Sequence, residues 1–266
     1  MASVSDRQQA RLEALQRLVI DLGRRDFDKE YPNLKLTPVV ALICAFDEAD
    51  NIGAVLSVVP AEVMGLAVTP VVVVDGGDDG TDTVARDAGA VTFVLPVNLG
   101  HGVALRVGYD LCVSAGAQYV ITFDADGQNN PGEMETMLAP LVDDVADFVV
   151  ASRRLGEDQT EDWYRKAGVV VFAGMINLLT GSHLTDSSNG YRALRSTMLS
   201  DVIGRLEQDQ YQTAELLIIA IKRGWRVIER PTVWHKRASG ESKKGGNLLY
   251  GFRYAAVVIG TWRRER

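Results

Sequence analysis

Four short apolar runs, Val39–Ala45, Pro70–Val74, Ala90–Leu95 and Tyr119–Phe123, recur through the first half of the chain without the polar alternation of a half-exposed strand. Runs of this length rich in valine and isoleucine bury both faces of a strand, which happens where helices cover a parallel sheet on each side. Between them lie helical patterns at Asp50–Val59, Thr81–Ala88 and His101–Ala115, joined by short connections. The alternation predicts an α/β domain with a Rossmann-like, mostly parallel central sheet flanked by helices.

The second half continues the pattern less regularly. Helices are expected at Met134–Leu141, 162–180, Thr197–Val202, Tyr211–Lys222 and 248–264, with strands at Phe148–Ser152, Tyr191–Leu194 and Trp225–Pro231. Polar loops fall at 182–190 and 235–247. Near the start, Leu12, Leu15, Leu18, Val19 and Leu22 mark an amphipathic helix over 6–27, followed by a linker with Pro32 and Pro38. The expected organisation is an N-terminal helix and linker (1–37), one domain (38–247) with halves 38–130 and 131–247, and an amphipathic basic C-terminal helix (248–266).

An apolar fraction of 47% over 266 residues is ample for a core. The longest apolar stretch, Ala167–Ile176, falls short of the roughly 18 residues of a membrane span, and residues 1–30 carry charges where a secretory signal needs an apolar centre. The expected location is cytoplasmic, with peripheral contact at the inner face of a membrane as the further option. Cys44 and Cys112 sit in apolar sequence and build neither a zinc site nor a disulfide framework. The net charge of −7 is uneven: Lys222–Arg266 holds 12 Lys or Arg against 3 Asp or Glu. That basic tail suits phosphates or an anionic membrane surface, whereas the acidic remainder repels nucleic acid.

Open α/β sheets bind ligands at the carboxyl ends of their strands. There the chain places Phe123-Asp-Ala-Asp-Gly-Gln128, with Asp124 and Asp126 suited to hold a divalent cation against a diphosphate. Asp75 and the glycines after it form a second strand-to-turn segment, fitted to a nucleoside edge or ribose hydroxyl. It is neither a dinucleotide fingerprint nor a P-loop. Asn98–Gly102 opens a helix carrying Arg106, which reaches either a phosphate or Asp110. Ser152–Arg154, Asp186–Arg192 and Arg237–Lys244 add cations of the kind that neutralise phosphate oxygens.

The segments Val40–Ile52, Val73–Thr81, Asn98–Tyr109, Phe123–Gln128, Asp186–Arg195, Gln212–Pro231 and Arg237–Lys243, in that order, resemble the inverting family 2 glycosyltransferases, closest to the polyprenyl- or dolichyl-phosphate sugar synthase branch. The resemblance implies the A-type nucleotide-diphospho-sugar transferase fold and a nucleotide-diphospho-sugar donor. It implies that Phe46, Glu48 and Asp75 contact the nucleoside, that Gly102 lies near the nucleotide, and that Asp124, Asp126 and Gln128 bind Mg²⁺ or Mn²⁺. Arg153 then faces a phosphate of either substrate, and Asn189 and Arg192 line the acceptor side with Asp186. Gln212 and Glu215 orient the reacting region, while Arg237, Ser242 and Lys243 close over phosphates. For a hydroxyl acceptor, Asp186 is the first choice of base and Glu215 the second. Polyprenyl phosphate is the first acceptor reading. A soluble saccharide or small hydroxyl compound, and a non-catalytic nucleotide-sugar-binding or scaffold subunit, are the alternatives. The terminal helices are expected to pack on the domain, to touch a membrane or partner subunit, or to extend a homo-oligomer contact.

Overall fold

A computed structural model of the chain describes residues 4–160, 163–236 and 248–266. Arg237, Ser242 and Lys243 lie outside the described residues. In chain order the elements are α1 (Val4–Glu30), β1 (Val39–Ala45), α2 (Ala49–Ser57), β2 (Glu62–Val63), β3 (Leu66–Asp75), α3 (Thr81–Asp87), β4 (Val91–Leu95), α4 (His101–Ser114) and β5 (Tyr119–Asp124). They continue with α5 (Met134–Val142), β6 (Phe148–Asp158), α6 (Trp163–Thr180), β7 (Arg192–Arg195), α7 (Ser196–Val202), α8 (Gln212–Lys222), β8 (Val227–Trp234) and α9 (Leu248–Arg264).

The apolar runs do bury both strand faces. Val40 and Leu42 of β1, with Val71, Val73, Phe93 and Leu95, join the core formed with α4 and α8. Val39, Ala41 and Ile43, with Val72 and Val74, pack instead with Ile52 and Val55 of α2, Ala85 of α3 and Leu138 of α5. Successive side chains thus enter opposite cores, and each must be apolar. Pro70 is tolerated in β3 because it falls between the stretches that pair with β2 and with β4.

The sheet is mixed rather than parallel throughout. Its order is β4-β3-β1-β5-β7-β6-β8, with β2 in a short hairpin on β3. β4, β3, β1 and β5 are parallel, as are β6 and β8, but β7 lies antiparallel to both β5 and β6. β7 is only four residues long, too short for its side-chain pattern to distinguish this insertion from another parallel strand.

Both terminal helices pack on the domain, α1 against β4 and α9 against α6 and α8. Phe27 of α1 meets Phe93 at a ring separation of 5.3 Å, while Leu12, Leu15, Leu18 and Leu22 stay exposed. Tyr254 of α9 is buried, stacks on Phe172 of α6 at 4.0 Å and meets Tyr211 edge-on at 5.9 Å. Among the described residues, no helix is long and apolar enough to cross a membrane.

Candidate active site

The inverted strand brings two distant segments together. Thr122 near the end of β5 pairs with Arg192 at the start of β7, so the loop entering β7 arrives where the acidic turn leaves β5. A methyl group at Gly190 would lie 3.0 Å from Asp124 Oδ1, and Thr122 Oγ1 donates to the Gly190 carbonyl at 2.9 Å. Asp124 and the 186–190 loop are therefore immediate neighbours. The turn itself is pinned: Gln128 N donates to Asp126 Oδ1 at 3.1 Å, and the Asp124 amide donates to Asn129 Oδ1 at 3.1 Å. Gln128 is clipped to the end of β8, its Nε2 donating to the His235 carbonyl (3.1 Å) and its carbonyl accepting from His235 N (2.9 Å).

At the end of β3, Asp75 spends both oxygens on the next loop, accepting from Leu99 N at 2.8 Å and Gly100 N at 2.9 Å. Its carboxylate thus shapes the Asn98–Gly102 segment. Burial raises the Asp75 carboxyl to about 6 from 3.8, against the lowering by these two donors. The folded state holds this proton more tightly than the unfolded chain, so the contribution favours folding below the ordinary value and is lost as pH rises through about 6. In thermal melts from pH 4 to 7.5, the wild type is expected to lose stability relative to Asp75→Asn, by up to about 3 kcal/mol. Parallel profiles for the two proteins would refute the shift.

Phe46 and Glu48 follow β1 and are half-buried. Glu48 N donates to Thr81 Oγ1 at 2.9 Å, and Glu48 Oε2 accepts from Asn51 Nδ2 at 2.7 Å, which ties the end of β1 to the start of α3. Gly102 N donates to the Asp209 carbonyl at 2.8 Å, and a Cβ there would sit 2.3 Å from the Gln208 carbonyl oxygen. Since backbone must yield, Gly102→Ala is expected to cost about 1–3 kcal/mol in denaturant unfolding. Unchanged stability would mean that the 206–209 loop moves freely. Arg106 turns to the 206–209 loop rather than to Asp110. Its guanidinium donates to the Leu206 carbonyl (3.1 Å) and to Asp209 Oδ1 (2.9 Å).

Across the inverted strand, Arg153 and Asp186 form a buried two-pronged ion pair. Nε and one terminal nitrogen of Arg153 donate to the two Asp186 oxygens at 2.6 and 2.8 Å, and the guanidinium lies 5.0 Å over the Trp234 ring. Asp186 Oδ1 also accepts from Ser188 N at 3.1 Å. Burial pushes the Asp186 carboxyl up, but the bonds and charge of Arg153 outweigh it, and the group lies below the ordinary carboxylate range. A carboxylate so held is a weak proton acceptor. Glu229 of β8, not anticipated from sequence, fixes the same loop by accepting from Thr185 N and Asp186 N, both at 2.8 Å.

Arg192 is buried and donates to three carbonyls, of Asn189 (2.8 Å), Thr213 (2.6 Å) and Ser187 (3.0 Å). It ties the 187–189 loop to the start of α8. Glu215 is fully buried, accepting from Glu207 N at 3.0 Å, Gln208 N at 3.0 Å and Arg264 at 2.7 Å. Asn129 Nδ2, Asn189 Nδ2 and both amide atoms of Gln212 are buried without a hydrogen-bond partner among the described residues. Buried amides left unspent are rare in a finished core and are expected where a polar ligand binds.

The residues fit a hard divalent cation. Asp124 and Asp126 offer carboxylate oxygens from one turn, although among the described residues no group of three or more His, Cys, Asp or Glu side chains is placed to hold a metal ion by itself. Mg²⁺ and Mn²⁺ accept such a set because they complete their oxygen coordination with water and substrate phosphate.

A mixed α/β sheet flanked by helices, with an acidic turn at the carboxyl end of β5 beside the loop that enters β7, is a fold of the A-type glycosyltransferase kind. The family model for glycosyl transferase family 2 matches residues 40–203, and the chain belongs to that family of enzymes. It is 31% identical to a dolichyl-phosphate hexose transferase of Haloferax volcanii, over 74% of this chain and 82% of the relative. It is 28% identical to an uncharacterised protein of Methanocaldococcus jannaschii, over 83% of this chain and 90% of the relative. In fold it is similar to glucosyl-3-phosphoglycerate synthase from Mycobacterium tuberculosis in complex with Mn²⁺, UDP-glucose and phosphoglyceric acid. The TM-score is 0.64 at 16% identity, covering 85% of this chain and 80% of that one.

Proposed function

We propose that this chain is a metal-dependent inverting glycosyltransferase that moves a sugar from a nucleotide-diphospho-sugar to the phosphate of a polyprenyl phosphate. The observation that carries the reading is the contact between Asp124 and Gly190, which sets the acidic turn against the 186–192 loop. Asp124 and Asp126, with the carboxamide oxygen of Gln128, would hold Mg²⁺ or Mn²⁺, and Gln128 also braces the turn through its Nε2 bond to the His235 carbonyl. When bound, the cation supplies charge neutralisation for the departing diphosphate. Asn129, Asn189 and Gln212 have unspent amide groups for substrate oxygens.

The acceptor assignment rests on the state of the two candidate bases. Asp186 is committed to Arg153, and Glu215 to Arg264 and two backbone amides. The oxygens of both are already taken up by these donors, so the arrangement favours a phosphate monoester, already largely ionised near neutrality, over a hydroxyl. Relatives named for dolichyl phosphate and undecaprenyl phosphate support this reading. The second reading, a soluble hydroxyl acceptor, is favoured by the fold shared with the phosphoglyceric acid complex.

Release of nucleoside diphosphate from a panel of UDP- and GDP-sugars with Mn²⁺ or Mg²⁺ tests both. Turnover is expected to rise at least tenfold on adding undecaprenyl phosphate in detergent. A rise with phosphoglyceric acid alone selects the soluble acceptor. Failure to bind any nucleotide sugar refutes the transferase reading.

A further inference from the structure

We infer that Arg264, near the end of α9 and far beyond the segment matched by the family model, is a positioning residue for the donor site. The inference rests on the donor reading above, in which Asp75 and Gly102 border the nucleotide. A continuous set of bonds runs from this helix to that border. Arg264 donates to Glu215 Oε1 at 2.7 Å and to the Arg205 carbonyl at 2.9 Å, and also pairs with Glu207. Glu215, with no exposed surface, accepts from the Glu207 and Gln208 amides and so fixes the 206–209 loop. That loop meets the donor segment backbone to backbone: the Asp209 carbonyl accepts from Gly102 N, and a Cβ at Gly100 would lie 2.9 Å from the same oxygen. Asp75 holds the other side of the segment through the Leu99 and Gly100 amides.

Burying a carboxylate is costly unless a cation and hydrogen bonds offset it, and among the described residues Arg264 is the ion-pair partner the structure gives Glu215. Without it, Glu215 is a buried carboxylate with no cation beside it, which strongly destabilises the arrangement it holds. The amides it holds then come loose, and the surface against which Gly100 and Gly102 are packed shifts. The C-terminal helix therefore contributes to the shape of the donor pocket through Glu215, without touching substrate.

The amides themselves report on each link, so hydrogen exchange decides the matter without relying on turnover. In Arg264→Met, exchange is expected to accelerate about tenfold at Glu207 and Gln208 and also at Leu99, Gly100 and Gly102, with β1 unaffected. UDP affinity with Mn²⁺ is expected to fall in step, and Arg264→Lys to recover part of both. Acceleration at 207 and 208 alone, or at neither set, overturns the inference. If Arg264→Met does not fold, the wild type carries the test by reciprocity: UDP with Mn²⁺ must raise protection at 207 and 208 as well as at 99–102. Protection confined to 99–102 overturns the inference equally. A wild type that binds no nucleotide refutes the donor reading, whereas the exchange pattern of the variants still tests the mechanical link.

Discussion

Asp126→Ala is expected to abolish divalent-cation-dependent binding of a nucleoside diphosphate while leaving the chain folded. Asp126 is 5% exposed and accepts from Gln128 N in the turn after β5. Losing that bond costs about 1 kcal/mol. Removing one of two carboxylates from a crowded acidic turn relieves repulsion and offsets part of it. The effect on ligand is much larger. A cation held between two carboxylates and a diphosphate loses an anionic ligand, and electrostatic contributions of this kind are worth roughly 3–4 kcal/mol, or 10²–10³-fold. Isothermal titration of UDP and GDP with Mn²⁺, alongside a thermal melt, separates the two consequences. An unaltered dissociation constant in a folded variant would remove Asp126 from the cation site. Asp126→Asn keeps an acceptor for Gln128 N while losing the charge, and is expected to bind as poorly.

The second large effect concerns Arg153 and Asp186. Removing either partner leaves the other charged and buried, so Arg153→Met and Asp186→Asn are each expected to lower unfolding stability by about 3–5 kcal/mol. The double variant Arg153→Met/Asp186→Leu is expected to be less destabilised than the sum of the two single changes, since no orphan charge remains. Equilibrium denaturation measures all three. The same variants distinguish an anchor from a base. If Asp186 positions the 186–190 loop, Asp186→Asn lowers turnover without changing the shape of its pH profile, whereas a base would take a limb of the profile with it. Loss of that limb would return Asp186 to the role first expected of it.

The strands of the first half were legible because burial on both faces leaves a mark in composition: Val39–Ala45 is apolar at every position, since each side chain meets one of two cores. The acidic turn was legible because a strand ending in Asp-Ala-Asp-Gly-Gln puts unusual chemistry at a known place in the fold. What could not be read was mostly direction and partnership. Nothing in Arg192–Arg195 tells that β7 runs backwards, and two-residue β2 is too short to show a period. Asp186, Arg192 and Glu215 stand out in the sequence as polar residues in ligand-bearing segments, yet sequence does not reveal that each is already bonded. Glu229 carried no signal beyond a carboxylate inside a strand. Arg264 looked like one more charge in a basic tail, because its partner Glu215 lies far away in the chain.

Strand β7 also sets an order of events. Its neighbours β5 and β6 both precede it in the chain, and β6 pairs only with β7 and the later β8, so β6 reaches β5 through β7 alone. Pairings between residues so distant in the chain form slowly, because closing the intervening loop costs entropy before any bond is gained. Refolding should therefore show sheet and helix first and nucleotide affinity later. A nascent chain released near residue 180 would carry Asp124 and Asp126 but neither β7 nor the 186–190 loop that the finished sheet sets beside them.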